Sequence, residues 1–348
     1  MVQTLAAAAE HPSVYIDLGR KLVDDREINI TSPGKVAAKR AELIRFIWGK
    51  PGFPKGKLPS SLERGAVKPD NLKNLDRVDT LHIPMDGGIN GLAHHFIPKS
   101  KKRGELVILH LGHVDNCTFN DNVPGEPDIG MRRTISRLLA EGFPVLGVYM
   151  PRITPDDCSW GHDQLFKIKT AGSPIKFFLE STLVSLNYME KNFPEYKRFS
   201  MIGLSGGGWT TTVYAAIDPR VTISIPVAGS LPLYMSYGIS RGDVEQNYDN
   251  FYRLAGYPDL YVLGSYGSGR KQIQILNRRD DCCFGESQHD TSASGLPFEP
   301  AVRRYEAKVV ATLKQLGSGS FKVRIDEKAT GHQISQYALD KIILPAIR

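Results

Sequence analysis

The hydrophobic and polar positions after about residue 80 alternate between short apolar runs and longer amphipathic stretches. Apolar runs of strand length occur at 105–112, 143–149, 199–204, 221–227, 272–277 and 321–326. The stretches between them have the spacing of amphipathic helices, as at 129–141, 174–192, 207–216 and 301–316, and a last helix is expected at 334–343. The almost unbroken run at 105–112 is typical of a strand covered on both faces. The pattern predicts an α/β fold with a mostly parallel central sheet of about eight strands flanked by helices.

The segment before this alternation has a different pattern. Ser32 followed by Pro33 predicts the start of a helix and Gly49 its end, and the prolines and glycines that follow indicate an irregular connector. We interpret residues 1–75 as an N-terminal helical extension packed on a domain formed by 76–348.

That domain begins with a predicted antiparallel pair of strands at 81–85 and 92–97, on either side of a turn signal. Within it, residues 229–269 are rich in tyrosine and interrupt the alternation of strands and helices. We expect this segment to be an insert that acts as a lid.

Composition excludes several classes of protein. With 348 residues, 41% hydrophobic and 23% charged, the chain resembles an ordinary globular protein. The net charge of +7 is scattered, and the longest basic cluster, at 99–103, is expected to be a solvated turn, so we predict no nucleic-acid partner. The apolar runs are too short to span a membrane, and the N-terminus lacks the pattern of a signal peptide. Oligomeric state stays open, as does the compartment, with a slight preference for the cytoplasm.

The strongest chemical signal is the pentapeptide Gly203-Leu-Ser-Gly-Gly207, which matches the G-x-S-x-G nucleophile elbow. It follows an apolar strand and precedes a helix of small residues, which is the context that this motif requires. Glycine must flank the serine because the turn is tight and its backbone strained. The motif therefore predicts Ser205 as a nucleophile at the carboxyl edge of the sheet.

A serine hydroxyl needs a base within hydrogen-bond reach and a third group that orients the base. Only His289 and His332 follow Ser205 in the chain. The base should come after the acid and after a further helix and strand, and His332 follows the pair predicted at 301–316 and 321–326. His289 has no such elements before it, so we predict His332 as the base.

The acid is expected where the strand at 272–277 ends. Two neighbouring carboxylates, Asp280 and Asp281, follow this strand directly. We favour Asp280 because it lies three residues after the strand end at Asn277, and Asp281 stays open as the alternative.

Other residues are candidates for binding the substrate. An oxyanion hole uses the main-chain N–H after the nucleophile, here Gly206, and one from the loop after the third strand, here His113. Trp160 and His162 follow the fourth predicted strand and are candidates for a pocket wall. Trp209 is a further pocket candidate, although helix packing is the favoured role for it.

The cysteines, Cys117, Cys158, Cys282 and Cys283, fall in loops after strands at one edge of the sheet. Their convergence would permit a disulfide between the oxyanion loop and the acid loop, but buried thiols are the favoured interpretation. Their spacing matches no structural zinc pattern, so we expect no metal.

From residue 80 to 348 the chain resembles the α/β-hydrolase superfamily. The resemblance rests on Gly203-Leu-Ser-Gly-Gly207, on the strand at 273–276 leading to Asp280, and on Gly331-His332 in this order. In general appearance the chain is similar to bacterial esterases of the acetyl-xylan-esterase and dienelactone-hydrolase neighbourhood. The resemblance implies cofactor-free hydrolysis of a carboxylic ester, of a small molecule or a sugar, through an acyl-enzyme. A peptidase, a thioesterase and a non-catalytic ligand-binding homologue are the alternatives.

Overall fold

The computed structural model of the protein describes residues 24–67, 69, 72–100, 103–113, 129–151, 161–236 and 243–348. In these ranges nine strands form one sheet. The strands are β1 (Ser61–Val67), β2 (Leu75–Pro84), β3 (Asn90–Pro98), β4 (Glu105–His110), β5 (Val145–Val148), β6 (Arg198–Leu204), β7 (Val221–Val227), β8 (Lys271–Asn277) and β9 (Ser320–Asp326).

The strands lie in the order β1-β2-β3-β5-β4-β6-β7-β8-β9. The first three pairs, from β1 to β5, are antiparallel, and the five pairs from β5 to β9 are parallel. This confirms the predicted α/β class with its mostly parallel central sheet, which has nine strands in the described ranges. The carboxyl ends of the parallel strands lie at one edge of the sheet, so the loops after β4, β5, β6, β8 and β9, which carry the predicted site residues, meet there.

Helices cover both faces of the sheet. They are α1 (Pro33–Trp48), α2 (Met131–Ala140), α3 (His162–Leu165), α4 (Ile175–Asn192), α5 (Gly206–Ile217), α6 (Asp249–Tyr252), α7 (Tyr257–Ser265), α8 (Thr291–Ser294), α9 (Phe298–Leu316), α10 (Gln336–Ala338) and α11 (Leu344–Ile347), with a π-helical turn, Leu339–Ile343, between the last two. One apolar cluster contains residues of α1, α4, α5, α7 and α9, and a second contains residues of α2 and the C-terminal helices. Among the described helices, none is both long and apolar enough to cross a membrane.

The predicted N-terminal helix is α1. The Ser32 side chain accepts a hydrogen bond from the main-chain N–H of Lys35 at 3.4 Å, and Gly49 ends the helix with a φ of 69°. The Trp48 indole donates to the buried Glu180 carboxylate of α4 at 3.2 Å, which ties the helix to the sheet domain. The connector predicted as irregular contains β1, an edge strand on which no residue is fully buried, and this explains why the hydropathy pattern did not reveal it.

The described part of the tyrosine-rich segment at 229–269 packs on the domain, and its expected action as a lid stays a prediction. Within this part, α7 packs on α5, and the side chains of Tyr252, Tyr257 and Tyr261 are buried. Tyr252 donates to the hydroxyl of Tyr257 at 2.8 Å, and Tyr257 donates to the Gln246 carbonyl at 3.1 Å. These aromatic side chains lie in the core. Since α7 comes between the parallel strands β7 and β8 in the chain, it is a crossover helix.

One carboxylate lies in the interior at the start of β4. The Glu105 side chain has no exposed surface, accepts a hydrogen bond from the Ser200 hydroxyl and pairs with the Arg198 guanidinium at 2.9 Å. Burial raises the pKa of Glu105, and the contacts with Ser200 and Arg198 offset the rise only in part.

Candidate active site

Ser205 occupies the sharp turn between β6 and α5. Its backbone has a φ of 58° and a ψ of −128°, a region that residues with side chains rarely adopt. Its main-chain N–H donates to the Val227 carbonyl at 3.0 Å, which fixes the turn against β7. A Cβ atom on Gly207 would lie 2.3 Å from the His110 carbonyl oxygen, so only glycine fits there. The elbow predicted from the pentapeptide has the strained geometry that presents a serine side chain at the sheet edge.

His332 and Asp280 are in direct contact. His332 Nδ1 lies 2.8 Å from Asp280 Oδ2, and the Asp280 side chain has no exposed surface. The other oxygen of Asp280 accepts hydrogen bonds from the main-chain N–H groups of Cys282 at 2.9 Å and Cys283 at 3.1 Å. Asp281 is exposed. Of the two aspartates left open by the sequence, Asp280 is the one placed to orient His332.

The second ring nitrogen of His332 is buried, and within the described ranges it has no hydrogen-bond partner, so the predicted hydrogen bond with the Ser205 hydroxyl is not formed in this structure. Asn277 stabilises the loop that carries His332. Its side-chain amide donates to the Gly331 carbonyl at 3.0 Å and to the Gln333 carbonyl at 2.8 Å. In the sequence, Asn277 is recognisable only as the end of the predicted strand at 272–277. A polar amide that ends an apolar run is the signal that could have identified it as a positioning residue.

The two residues predicted for the oxyanion hole lie next to each other. Gly206 begins α5, and a Cβ atom on it would lie 2.6 Å from His113 Cε1 and 2.2 Å from the Met150 methyl carbon. The His113 ring therefore covers the first turn of the helix. His110, the last residue of β4, is also buried. Burial together with the nearby His113 lowers the pKa of His110 to about 3, so this histidine is neutral. The use of the two main-chain N–H groups as oxyanion donors stays a prediction.

His113 also belongs to a cluster that the sequence did not reveal. We define the four-residue cluster as His113, His162, Asp243 and Glu245, from each of which one ligand-type atom lies within 4.8 Å of those of the other three. His113 Nε2 is 2.9 Å from Asp243 Oδ2 and 3.1 Å from His162 Nδ1. These residues come from three distant parts of the chain, so no spacing motif links them.

The charged groups of the cluster shift one another's pKa values. Burial disfavours the charged form of His113, but the Asp243 and Glu245 carboxylates outweigh it and raise the pKa of His113 to about 10. Burial likewise opposes ionisation of Glu245, yet the two histidines lower its pKa to about 2.

The pocket candidates have different positions. Trp209 is fully buried and its indole donates to the Tyr252 hydroxyl at 2.7 Å, so it packs in the core and is not a pocket wall. His162 is also buried, with its ring edge-on to Phe178 at 5.0 Å between centroids. It is a member of the four-residue cluster. Trp160 lies outside the described residues.

One pair of cysteines differs from the expected thiols. Cys282 and Cys283, which were expected to be thiols, form a disulfide between neighbouring residues. The two sulfur atoms and a ring nitrogen of His332 all lie within 4.8 Å of one another, so the disulfide lies beside the proposed base. Cys117 and Cys158 lie outside the described residues, and the bridge between the oxyanion and acid loops stays untested.

Comparison with known proteins gives structural matches alone. No protein-family model and no curated protein matches the sequence. A glucuronoyl esterase from Solibacter usitatus is similar with a TM-score of 0.60 and 15% identity, over 91% of this chain and 94% of that one. Acetyl xylan esterase 1 from Thermoanaerobacterium sp. JW/SL YS485 has a TM-score of 0.51 and 14% identity, over 91% and 94%.

Methylesterase BT1017 is similar with a TM-score of 0.55 and 16% identity over 91% of this chain, which spans only 64% of that protein's length. At these identities the likeness concerns the fold. It agrees with the resemblance drawn from the elbow and from the order of the site residues. The chain therefore has the α/β-hydrolase fold, which it shares with these esterases.

Proposed function

We propose that the protein is a serine hydrolase that cleaves a carboxylic ester, with Ser205 as nucleophile, His332 as base and Asp280 as the orienting acid. The observation that carries the proposal is the 2.8 Å contact between His332 Nδ1 and Asp280 Oδ2. This contact fixes the ring so that its other nitrogen, which has no partner among the described residues, is available to take a proton.

We propose the following course for the reaction. The Ser205 hydroxyl attacks the ester carbonyl while His332 Nε2 takes its proton, and the main-chain N–H groups of Gly206 and His113 stabilise the oxyanion. His332 then gives the proton to the departing alcohol, which leaves an acyl-enzyme. Water activated by the same nitrogen releases the acid and restores Ser205.

For the substrate we propose an ester of a saccharide or of another small molecule. Two of the similar structures are named for carbohydrate esters, a glucuronoyl esterase and an acetyl xylan esterase. A panel of acetylated xylan, a glucuronoyl methyl ester, a simple aryl acetate, a thioester and an aminoacyl anilide tests this class. Preference for the thioester or the anilide would favour a thioesterase or a peptidase instead.

The nucleophile and base are tested by intact-mass labelling with a fluorophosphonate probe. We expect one adduct on the wild type and none on Ser205→Ala, and labelling of His332→Ala should be slower by orders of magnitude. Asp281→Asn is the matched control and should label like the wild type, because Asp281 is exposed. A folded wild type that takes up no probe would overturn the proposal and favour a non-catalytic homologue.

A further inference from the structure

We propose that the four-residue cluster binds a divalent transition-metal ion of the Zn²⁺ type. It lies beside the oxyanion loop and outside the proposed triad. The proposed ligand atoms are His113 Nε2, His162 Nδ1, Asp243 Oδ2 and Glu245 Oε1. The inference goes beyond the proposed hydrolysis and does not depend on it.

The spacing of the ligand atoms is close to that of a tetrahedral site: two of four interatomic distances match it, and two are about 0.2–0.4 Å shorter. Bonds of about 2.0–2.2 Å from zinc to nitrogen or oxygen place neighbouring ligand atoms about 3.3–3.6 Å apart in a tetrahedron. Glu245 Oε1 lies 3.5 Å from His113 Nε2 and 3.4 Å from His162 Nδ1. The two histidine nitrogens are 3.1 Å apart, and Asp243 Oδ2 is 2.9 Å from His113 Nε2.

No arrangement of protons makes all these contacts favourable while the carboxylates are ionised. If both histidine nitrogens carry a proton, two donors face each other across 3.1 Å. If only one of them carries it, the bare nitrogen of the other faces a carboxylate, either His162 Nδ1 facing Glu245 at 3.4 Å or His113 Nε2 facing Asp243 at 2.9 Å. A cation at the centre removes the conflict, because all four atoms then direct lone pairs toward one positive charge.

Burial strengthens this argument. The Glu245 side chain has no exposed surface, and neither of its oxygens accepts a hydrogen bond from the described residues. A buried carboxylate without hydrogen bonds is costly unless a cation compensates it. Metal binding would release the proton of His113, after which two carboxylates and two neutral imidazoles around a divalent ion give a site with no net charge.

The carboxylates are held in place by their own turn. Asp243 begins the 3₁₀ turn Val244–Asn247 with a capping box, in which its main-chain N–H donates to the Gln246 side chain at 3.2 Å. The Gln246 carbonyl in turn accepts the hydrogen bond of the buried Tyr257 hydroxyl. Glu245 is therefore presented by a turn that is anchored to α7.

The ligand set also indicates which ion would bind and what it would do. Imidazole nitrogens suit zinc and its neighbours, whereas calcium and magnesium prefer oxygen ligands alone. Four protein ligands close a tetrahedral shell, which is typical of a structural ion. Such an ion would join the loop after β4, α3 and the Val244–Asn247 turn, and would hold His113 over Gly206.

The test is metal binding by the full chain after treatment with a chelator. We expect the wild type to take up one equivalent of Zn²⁺ in calorimetry, to give a visible absorption band with Co²⁺, and to melt at a higher temperature with Zn²⁺ than without it. Ca²⁺ should produce none of these signals. Glu245→Gln and His162→Asn should each weaken Zn²⁺ binding by at least about 100-fold, since even outer-shell changes cost 10- to 100-fold.

Two controls keep the test specific. His82→Asn removes a histidine that contacts the exposed Glu63 carboxylate at 2.9 Å, and it should bind Zn²⁺ like the wild type. Ser205→Ala should also bind the ion unchanged, so a failure of the proposed hydrolysis is distinguishable from a failure of the metal site. The proposal is overturned if the wild type takes up no Zn²⁺, or if both ligand variants retain wild-type affinity.

Discussion

Replacing Asp280 by asparagine tests the orientation of His332 with almost no change of shape. In the wild type, Asp280 Oδ2 accepts from His332 Nδ1 at 2.8 Å, while Oδ1 accepts from the main-chain N–H groups of Cys282 and Cys283. An asparagine oxygen can keep the two main-chain bonds, which leaves its NH₂ group facing Nδ1. That donor forces the ring proton onto Nε2, so His332 can no longer take the proton of Ser205.

The expected loss is large and confined to the chemical step. The same change of acid in a serine triad lowers kcat by about 10⁴-fold, and we expect a loss of that order for Asp280→Asn with little change in KM. The assay is steady-state hydrolysis of an aryl acetate, with circular dichroism as a check of folding. Asp281→Asn should stay within about a factor of two of the wild type, as for other exposed sites. Activity of Asp280→Asn within tenfold of the wild type, or an equal loss in Asp281→Asn, would refute the assignment.

Three further predictions follow from buried polar contacts and from the disulfide. Asn277→Ala leaves the Gly331 and Gln333 carbonyls without their donor, so it should destabilise the protein by about 1–3 kcal/mol in chemical denaturation and slow fluorophosphonate labelling by about 100-fold; an unchanged labelling rate would contradict a positioning role. Burial raises the folded-state pKa of Glu105 above its ordinary value of 4.5, so the wild type should lose stability relative to Glu105→Gln as pH rises from that value through the raised pKa. If the denaturation midpoints of the wild type and of Glu105→Gln changed with pH in parallel, the pKa of Glu105 would not be raised by folding. Under denaturing, non-reducing conditions the Cys282–Cys283 disulfide should leave at most two of the four cysteines reactive, and titration of four thiols would exclude it.

Most of the sheet could be predicted because its strands are buried on both faces. The run at 105–112 contains β4, all of whose residues are buried, and the predicted strand at 221–227 coincides with β7. The edge strand β1 escaped prediction because five of its seven residues are exposed. The role of α7 also escaped, since a tyrosine-rich sequence does not reveal whether its rings face solvent or the core.

In the candidate site too, features set by the local sequence could be predicted, and those set by tertiary contacts could not. The strained serine was predictable because glycines around a nucleophile reflect local steric demands, and Ser205 has the positive φ that they imply. The sequence favoured Asp280 by its distance from the strand end but left Asp281 open, because a sequence does not show in which direction each of two adjacent side chains points. The partner of Asn277 could not be predicted either, since its contacts lie more than fifty residues away.

The sequence by itself therefore determined what depends on neighbouring residues, namely the alternation of strands and helices and the glycine-flanked turn at Ser205. Only the tertiary structure decided which side chains meet. The four-residue cluster extends from His113 to Glu245, and no periodicity connects the two. Such contacts are set by how the carboxyl-end loops of separate strands converge at one sheet edge. That convergence depends on packing across the whole domain, which short-range patterns do not encode.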